Sequence, residues 1–572
     1  MKENISHQRH SLAHLLAAAV LEIYPDAKPT IGPAIDNGFY YDFEFSEAIS
    51  DKDLPVIQNK MESLLKSWTK FTKIDSDITN AQERYQDNPY KLELIKEIES
   101  KGEPLTLYQA GDFIDLCRGG HIEDMTSIKP KSFCLDRVAG AYWRGDANNK
   151  MLTRIYGLAF TTAKELEDYL QQRAEATKRD HRRIGKELDL FTFSDLVGSG
   201  LPLFTPKGTV IRNALQQKLL TISKKYGMQP VTIPHIAKRE LYEASGHAQK
   251  FGDELIKVIS HYDEFVMKPV NCPHHTQIYA SNPRSYRDLP LRYMESTMQY
   301  RDEQPGEISG LTRVRAITVD DGHIFCRIDQ IKEEAKNIAK IIEEFYSSVG
   351  LFGNHWVSLS VRDSKQLEKY IGDEDGWKQA ETTLQEISDE LSLKATRVEG
   401  EAAIYGPKLD YIFKDSLGRE WQLATIQIDF AMPERFGLEY TDKDGSKKTP
   451  VMIHRAILGS YERFMAILIE HFAGAFPVWL APVQAIILPV SAKHRDYAEA
   501  AFQQLKEKDI RVELDTDDTT LGKKIRAAKQ QKIPYLIIIG DKEIESGQLT
   551  IEQRDDDEAL SLTTEEFIKL IH

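Results

Sequence analysis

Residues 291–326 read LRYMESTMQYRDEQPGEISGLTRVRAITVDDGHIFC. Apolar runs at both ends and a charged, glycine-containing middle predict a strand, a loop and a second strand. In the second strand Arg313, Asp321 and His323 share parity, so they can face the same side if the strand persists, because side chains alternate along a strand. An arginine facing a cleft suits a phosphate group, since its planar fork matches phosphate oxygens. A charged hairpin on the surface would show the same pattern.

Strand-like apolar runs alternate with helical segments on both sides of this stretch, between about residues 188 and 476. Examples are Gln229–Pro234, Arg313–Val319 and Trp421–Phe430. Beyond Pro477 and Pro482 the alternation continues and predicts a small α/β sheet domain. Its predicted elements are strands Val483–Val490, Arg511–Leu514, Tyr535–Ile539 and Leu549–Glu552, helices Lys493–Lys508 and Leu521–Gln531, and a final helix.

The first 175 residues mix helix and strand signals. The segment His7–Leu21 predicts an amphipathic helix. Its apolar stripe contains Leu12, Leu15, Leu16, Ala19 and Val20. Residues 164–187 form a long, charged run of helical character, which we expect to be one helix that links two domains.

Length and composition indicate a soluble protein of several domains. The 572 residues are 41% apolar and 28% charged. At roughly 100–200 residues per domain we expect about three to five domains. No run approaches the ~18 continuous apolar residues of a membrane span, so we expect a cytoplasmic protein without a membrane partner. Four widely separated cysteines argue against a disulfide framework and leave metal binding or catalysis open.

The formal net charge of −15 does not indicate nucleic-acid binding by the chain as a whole. Any RNA would have to bind at local basic patches. One patch contains Lys178, Arg179, His181, Arg182, Arg183 and Lys186, and another contains Lys523, Lys524, Arg526, Lys529 and Lys532. Taken alone, each is better explained as a solvated helix face.

Three possible metal ligands stand far apart in the sequence. They are Cys272 within KPVNCPHH, His323 within DDGHIFC and His454 at the start of HRAILGS. The spacing does not show that they meet, and each alone could be a core cysteine or an ordinary histidine. If they converged, they would provide the three protein ligands that catalytic zinc sites commonly use.

A second group combines HSLAH at residues 10–14 with CRGGH at residues 117–121. His10 and His14 would lie on one face of the predicted helix, and Cys117 and His121 repeat the spacing. Four nitrogen and sulfur ligands suit zinc. Positions on the surface of a helix would explain each pair as well.

Several motifs together resemble the class II aminoacyl-tRNA synthetases, and among them the threonyl-tRNA synthetase family. The residues YGMQPVTIP (226–234), Arg301–Phe325 and GSYERF (459–464) resemble motifs 1, 2 and 3 of the class. The combination of NCP, DDGHIFC and HRAILGSYERF resembles the threonine enzymes specifically. The resemblance is collinear over nearly the whole chain.

This resemblance implies a multidomain α/β and α+β fold whose catalytic core is the antiparallel sheet of class II. The implied domains are an α+β editing domain at residues 1–163, a linker helix at 164–187, the catalytic domain at 188–476 and an α/β anticodon-binding domain at 477–572. The implied reaction joins L-threonine to tRNA(Thr) through a threonyl-adenylate, with ATP, Mg2+ and one catalytic Zn2+ per subunit of a homodimer. The ubiquitin-like domain that often begins this family is expected to be missing.

The resemblance also implies roles for individual residues. The catalytic arginines, which would bind ATP together with Glu303 at the adenine, are Arg301, Arg313 and Arg463. The zinc ligands would be Cys272, His323 and His454. The threonine pocket would contain Asp321, Tyr405, Gln422 and Lys408.

For the HxxxH and CxxxH pairs the resemblance implies a metal-free site that hydrolyses seryl-tRNA. Its residues would be His10, His14, Lys91, Tyr108, Asp115, Cys117 and His121. Chemistry supports the need for such a site, because serine differs from threonine by one methyl group. A missing methyl group discriminates by only ~1–3 kcal/mol, so a second, hydrolytic selection is expected.

In the C-terminal domain, Glu543 matches an anticodon-contacting position of the family. The partner position is usually arginine, but here it is Glu552, with Arg554 two residues further and on the same face of a strand. We expect Arg554 either to supply the missing cation or to balance the acidic run Asp555–Asp557.

The sequence departs from the family at a few further positions. Ile317 stands where a phenylalanine usually stacks on adenine, Ala316 and Val319 replace a usual glycine and glutamine, and Gly120 replaces a proline. Three other functions predict different signatures: a non-catalytic RNA-binding paralogue, a zinc hydrolase and a prolyl-tRNA synthetase. The first would lack motif arginines or zinc ligands, the second would show a hydrolase signature such as HExxH, and the third would not need both sets of motifs.

Overall fold

The computed structural model describes residues 2–146, 148–304 and 306–571. The chain forms two compact units, residues 1–175 and residues 176–572. Within the described ranges, no helix combines the length and apolar content that crossing a membrane requires.

Unit 1 is built from antiparallel sheets and helices. Its helices are α1 Lys2–Ile23, α2 Leu54–Leu65, α3 Ile78–Arg84 and α4 Pro89–Ser100. Its strands are β1 Lys28–Pro29, β2 Ala34–Ile35, β3 Gly38–Glu44, β4 Thr72–Asp75, β5 Thr106–Ala110, β6 Phe113–Leu116, β7 Phe133–Tyr142 and β8 Met151–Ala159. One sheet has the order β1-β3-β8-β7 with β2 beside β3, and the other has the order β4-β5-β6.

Helix α1 is longer and more enclosed than the sequence predicts. It extends over Lys2–Ile23, and all ten residues from Ser11 to Val20 are buried. The predicted single apolar stripe is therefore wrong, because the helix packs against α2 and β3 and also contacts β2 and β8. The small residues Ala17, Ala18 and Ala19 complete its apolar circumference.

The predicted linker helix is two helices. Helix α5 covers Ala163–Lys178 and α6 covers His181–Glu187. The break has a local cause: the Asp180 carboxylate accepts a hydrogen bond from the backbone N–H of Arg182, which caps a new helix start.

The core of unit 2 is an eight-stranded sheet. Its order is Gln229–Pro230 (β11), Leu291–Tyr300 (β15), Ala316–Cys326 (β16), Val451–Ala456 (β23), Glu420–Asp429 (β20), Lys408–Lys414 (β19), His355–Val361 (β17) and Thr396–Glu399 (β18). The six inner strands pair antiparallel, and only β11 and β18 at the two edges pair parallel. The predicted antiparallel sheet is confirmed.

Helices and short strands surround this sheet. The helices are α7 Pro206–Lys225, α8 Arg239–Ser245, α9 His247–Phe251, α10 Cys272–Ala280, α11 Ile331–Ser348, α12 Glu374–Glu390, α13 Ala431–Arg435 and α14 Tyr461–His471. The short strands are β9 Phe191–Thr192, β10 Leu203–Phe204, β12 Ile236–Ala237, β13 Lys257–Ile259, β14 Glu264–Met267, β21 Tyr440–Thr441 and β22 Lys447–Lys448. Helices α11, α12 and α14 bury their apolar residues in one core with the sheet.

The end of the chain forms a five-stranded sheet of order β25-β24-β26-β27-β28. These strands are β24 Ala485–Pro489, β25 Val512–Leu514, β26 Tyr535–Ile539, β27 Leu549–Gln553 and β28 Leu560–Leu562. The helices are α15 Arg495–Lys506, α16 Leu521–Gln530, α17 Asp541–Ser546 and α18 Thr564–Ile571. Strands β24, β25 and β26 are parallel, so the predicted α/β character is confirmed.

The stretch 291–326 forms the predicted strand, loop and strand, but the second strand begins at Ala316. Arg313 therefore lies in the loop and does not share a strand face with Asp321 and His323, contrary to the prediction. The loop is held before the strand begins, because the Arg315 side chain donates to the Glu303 and Ser199 carbonyl oxygens. Ile317, Val319, Asp321 and His323 do alternate on one face of β16.

Candidate functional site

The three predicted metal ligands meet in unit 2. His323 on β16 is the direct ladder partner of His454 on β23, and Cys272 begins helix α10. The ligand atoms of these three residues all lie within 4.8 Å of one another, and all three residues are buried. Directly opposed side chains of an antiparallel pair point to the same face, which explains why the two imidazoles converge.

Neighbouring side chains fix the orientation of both imidazoles. His454 donates its Nε2–H to Asp429 Oδ2 at 2.9 Å, and the ring of Tyr405 stacks on His454 with centroids 4.4 Å apart. His323 Nδ1 lies 2.7 Å from His275 Nδ1. Such outer hydrogen bonds commonly set which ring nitrogen of a histidine faces a metal.

The donor set fits a zinc ion. Burial raises the pKa of the Cys272 thiol and lowers the pKa of His323 well below its usual value. The His323 imidazole is therefore neutral, as metal binding requires, and a bound cation would displace the Cys272 thiol proton. One sulfur and two nitrogens match the three-ligand zinc sites that leave one position open.

Predicted threonine-pocket residues lie beside this cluster, with one exception. Asp321 accepts a hydrogen bond from Asn271 Nδ2 at 3.0 Å, and its Oδ1 lies 3.6 Å from His323 Nε2. Tyr405 donates its hydroxyl hydrogen to Gln427 Oε1 at 2.7 Å. Lys408 on β19 forms an ion pair with Asp410 at 3.0 Å.

Gln422 is the exception. It is exposed on β20, and its ladder partner is Ile412 rather than a residue of the cluster. Gln427 is the partner of both His454 and Lys408. The two glutamines are about 17 Å apart along the strand at ~3.4 Å per residue, so Gln427 and not Gln422 lies beside the cluster.

The three predicted arginines form a cationic group. Burial lowers the pKa of Arg301, and the nearby positive charges of Arg463 and Arg313 lower it further. Arg301 follows β15 directly, its guanidinium stacks over Phe251 at 5.1 Å, and among the described residues its buried Nε has no hydrogen-bond partner. Clustered guanidinium groups with an unpaired N–H favour an anionic ligand.

Glu303 is paired within the protein. Its Oε2 accepts hydrogen bonds from Arg313 at 2.8 and 2.7 Å, and Arg313 also reaches Glu307 at 3.1 Å. Arg463 Nε donates to the Thr312 carbonyl oxygen at 3.0 Å. The structure therefore ties two of the predicted phosphate arginines to the loop between β15 and β16.

In unit 1 the HxxxH and CxxxH residues also meet. Cys117 Sγ lies 3.1 Å from His10 Nε2 and 3.4 Å from His121 Nε2. Burial alone would raise the pKa of the Cys117 thiol, but the hydrogen bonds from His10, His121 and His14 lower it to about 3. The group is a thiolate at neutral pH, stabilised by imidazoles. The ring of Tyr108 lies 4.9 Å from that of His121.

Beside the thiolate lies a buried ion pair. Lys91 Nζ and Asp115 Oδ1 are 2.6 Å apart, and His14 Nδ1 lies 3.1 Å from Asp115 Oδ2. Burial lowers the pKa of His14, but Asp115 and Cys117 raise it to about 9. Tyr41, which the sequence analysis missed, donates its hydroxyl hydrogen to Asp115 at 2.6 Å and accepts one from Lys91 at 3.1 Å. Its position on a buried strand gave no sign of this role.

These groups line an open cavity of about 280 Å³. Cys117 and His121 lie in a loop, not on a helix, and Gly120 has a φ of +84°. Proline cannot adopt a positive φ, so this loop conformation is open to Gly120 and not to the proline that the resemblance gives for the family. At Gly119 a Cβ atom would lie 2.5 Å from the Tyr108 hydroxyl, so only glycine fits there.

The anticodon predictions fare differently. Glu543 caps its own helix: it accepts hydrogen bonds from Gly540 N at 2.8 Å and from Thr550 Oγ1 at 2.6 Å. Arg554 follows β27, donates to the Phe476 and Lys532 carbonyl oxygens at 2.9 and 3.0 Å, and pairs with Asp555 at 2.6 Å. These contacts favour the structural alternative for Arg554 over base recognition.

Comparisons with known proteins agree with this architecture. Residues 256–472 match the class II core domain of tRNA synthetases for G, H, P, S and T, and residues 484–572 match an anticodon-binding domain. Residues 105–156 match the second additional domain of threonyl- and alanyl-tRNA synthetases. A threonine–tRNA ligase from Rubrobacter xylanophilus is 47% identical over 548 residues, which are 96% of this chain and 85% of the relative. The chain belongs to the threonine–tRNA ligase family.

Other relatives support the same assignment. A threonine–tRNA ligase from Thermus thermophilus is 47% identical over 563 residues, covering 96% of this chain and 85% of that protein. The crystal structure of the RNA-binding domain of threonyl-tRNA synthetase from Cryptosporidium parvum aligns with a TM-score of 0.66 and 34% identity, over 68% of this chain and 97% of that one. Giardia lamblia prolyl-tRNA synthetase shares the fold at a TM-score of 0.55 and 17% identity, over 69% of this chain and 76% of that one. The predicted family, fold class and type of enzyme are confirmed.

Proposed function

We propose that the protein joins L-threonine to tRNA(Thr) through a threonyl-adenylate, using ATP with Mg2+, and that unit 1 hydrolyses seryl-tRNA(Thr). The observation that carries this proposal is the convergence of Cys272, His323 and His454 beside Asp321, on the same face of β16 as His323, and Tyr405, which stacks on His454. A metal-ligand set beside a carboxylate suits a small amino acid with a hydroxyl group.

The cluster would hold one zinc ion per subunit. Bound there, zinc would take the amino group and the hydroxyl of threonine as its fourth and fifth ligands, since a catalytic zinc ion can expand to five-coordination. Valine lacks the hydroxyl group and would leave a ligand position unfilled. The Asp321 carboxylate can accept a hydrogen bond from the ammonium or hydroxyl group of the substrate, which adds to this selection.

The arginines would act on ATP. Arg301 would bind the α-phosphate and the threonine carboxylate, and Arg313 and Arg463 would bind the outer phosphates. Fixed cations stabilise negative charge that shifts to pyrophosphate as the adenylate forms. Arg313 would have to exchange part of its contact with Glu303 for phosphate, which frees Glu303 to contact adenine.

One assay tests the central proposal: ATP–pyrophosphate exchange with each of the twenty amino acids. We expect exchange with threonine, weaker exchange with serine and none with valine. Exchange that requires another amino acid would overturn the assignment. Aminoacylation of tRNA(Thr) transcripts with serine and threonine then reports on the second half of the reaction.

The zinc site has its own test. Metal analysis should find one zinc per chain in the unmodified protein and in Cys117→Ala, because the unit 1 cluster is proposed to hold no metal. Cys272→Ala should lose the zinc. Cys326→Ala is the matched control, since this buried cysteine lies outside both clusters. A full zinc content in Cys272→Ala, or a loss in Cys117→Ala, would contradict the assignment.

The editing proposal rests on the Cys117 thiolate and the residues around it. Cys117→Ala combined with His121→Ala should abolish deacylation of seryl-tRNA(Thr) and leave threonine-dependent exchange intact, because the two sites lie in different units. Unchanged deacylation by the double variant would refute it. We further propose that Glu543 contributes to anticodon recognition, which charging of anticodon-mutant transcripts by Glu543→Gln would test.

We also propose that the protein works as a homodimer in the cytoplasm, as a translation enzyme of this class. Light scattering coupled to size-exclusion chromatography should give about twice the chain mass of 65.4 kDa. A monomer at micromolar concentration with full charging activity would contradict the dimer.

A further inference from the structure

His181 connects two parts of unit 2 that the proposed reaction uses. It is the first residue of α6 and is buried. Its backbone N–H and its ring Nδ1 both contact Glu470 Oε1, at 3.0 and 2.6 Å. On the other side of the ring, Nε2 accepts a hydrogen bond from the backbone N–H of Leu311 at 3.0 Å. The ring therefore carries its proton on Nδ1 and bridges Glu470 to a loop amide.

The loop that His181 contacts is the one between β15 and β16, which carries Arg313. A second peptide group of the loop, two further along the chain, is also held, because the Thr312 carbonyl oxygen accepts from Arg463 Nε. Glu470 and Arg463 lie on the same helix, α14, about two turns apart. Two nearby peptide groups of the loop, 310–311 and 312–313, are thus fixed from one helix, the first through His181 and the second directly.

The sequence makes room for this contact. At Gly310 the φ is +49°, and a Cβ atom there would lie 2.3 Å from His181 Nε2. Only glycine lets the loop approach the imidazole so closely. A Cβ atom at Gly306, in the same loop, would have no atom of the described residues within 4 Å.

Asp180, His181 and Glu470 could also be a metal site, since their ligand atoms lie within 4.8 Å of one another. Their hydrogen bonds favour a different role. Asp180 accepts from the Arg182 backbone and side chain, Glu470 is paired with Arg419, and both ring nitrogens of His181 have partners. A metal would have to displace the Leu311 contact or the Arg419 pair.

We propose that His181 is a positioning residue for ATP: it holds the Leu311 amide, and with it the loop backbone that carries Arg313 and accepts from Arg463, in place before ATP arrives. This inference rests on the proposed function, because it assigns those arginines to ATP. Without the contact, binding energy must be spent on ordering the loop, and the affinity for ATP falls.

Two substitutions separate the contact of His181 with Glu470 from its contact with the Leu311 amide. His181→Asn keeps an N–H near the Nδ1 position, which can still reach Glu470, and removes the acceptor for Leu311. His181→Gln places an amide oxygen near the Nε2 position and keeps that acceptor. We expect His181→Asn to raise the KM for ATP in threonine-dependent exchange by about two- to tenfold, the loss of one hydrogen bond, with little change in the KM for threonine. His181→Gln should stay closer to the unmodified enzyme.

A second pair of variants leaves His181 intact and so tests the same contact if the His181 variants fail to fold. Gly310→Ala pushes a methyl group between the loop and an intact His181, and should raise the KM for ATP. Gly306→Ala should not. Melting temperature and seryl-tRNA deacylation by unit 1 are measured for all four variants.

The outcomes are distinct. Equal KM values for ATP in His181→Asn and His181→Gln, with melting temperatures unchanged, would overturn the positioning role. If the His181 variants do not fold, equal KM values in Gly310→Ala and Gly306→Ala would overturn it instead. Absence of threonine-dependent exchange in the unmodified protein would refute the proposed function itself, which is a different result.

Discussion

Replacing Tyr41 by phenylalanine should weaken unit 1 specifically. The Tyr41 hydroxyl donates to Asp115 at 2.6 Å and accepts from Lys91 at 3.1 Å, in a site where Lys91 and Asp115 are only 1% and 2% exposed. A hydrogen bond to a buried charged group contributes about 1.5–3 kcal/mol, and water cannot replace it easily here. We expect Tyr41→Phe to lower the free energy of unfolding of unit 1 by that amount.

Hydrogen exchange measured by mass spectrometry on the full chain is the suitable assay, because it reports protection of each segment separately. Peptides from α4 and β3 should lose protection, whereas peptides from the eight-stranded sheet of unit 2 should not. Tyr40→Phe is the matched control. Tyr40 is the neighbouring residue on the opposite face of β3, half-buried, with its ring under Arg154 at 3.7 Å.

The series can be extended to rank the contacts. Asp115→Asn leaves the Lys91 ammonium without its buried counter-charge and should cost about 3–5 kcal/mol, more than Tyr41→Phe. The expected order of destabilisation is Asp115→Asn, then Tyr41→Phe, then Tyr40→Phe. If Tyr41→Phe and Tyr40→Phe gave the same protection within about 0.5 kcal/mol, the hydroxyl would not support the ion pair and the reasoning would be refuted.

Three further predictions follow from single contacts. Because the pKa of Cys117 is about 3, its thiolate is already formed near neutral pH, and the rate of its alkylation by iodoacetamide should stay constant from about pH 6 to about pH 8. Burial raises the pKa of Cys134, so the alkylation rate of Cys134 should rise about tenfold per pH unit over the same range. Parallel pH profiles for the two cysteines would contradict this prediction. Gln427→Ala should raise the KM for threonine and Gln422→Ala should not, and the reverse result would restore the sequence-based choice. Arg554→Ala should lower the free energy of unfolding by about 1–3 kcal/mol and leave the preference among anticodons unchanged. If charging of anticodon-mutant transcripts showed a changed preference, Arg554 would read a base.

Local pattern predicted much of the fold. In the C-terminal domain, strand Tyr535–Ile539 matches the prediction residue for residue, since a short apolar run bounded by a proline and a glycine permits little else. Tertiary context explains the failures. The predicted stripe of helix α1 omits Ala13, Ala17 and Ala18, which are buried by neighbouring elements that sequence periodicity does not reveal.

The site residues divide by the kind of information that locates them. A motif gives residue types, so Cys272, His323 and His454 could be named as possible metal ligands. They lie up to 182 positions apart in the sequence, so only the family resemblance predicted that they meet. Gln427 was missed because two glutamines stand on one strand and the pattern does not show which of them meets His454. Tyr41 was missed because its contacts come from α4 and β6, which no local signal near β3 predicts.

The register of β16 against β23 links the metal cluster to the core. The register that opposes His323 to His454 also sets Arg455 opposite Gly322, and on that other face Arg455 forms a fully buried ion pair with Asp320. A Cβ atom at position 322 would lie 2.5 Å from Arg455 Nε, so glycine is required for the guanidinium to fit. A shift of β23 by one residue would turn Arg455 towards the cluster and His454 into the core, and would leave two buried charges unpaired. The ion pair therefore disfavours the shifted register, in which His454 could not reach the other two ligands. The four residues of the DDGH run contribute to both faces: Asp320 and Gly322 accommodate Arg455, and His323 joins the metal cluster.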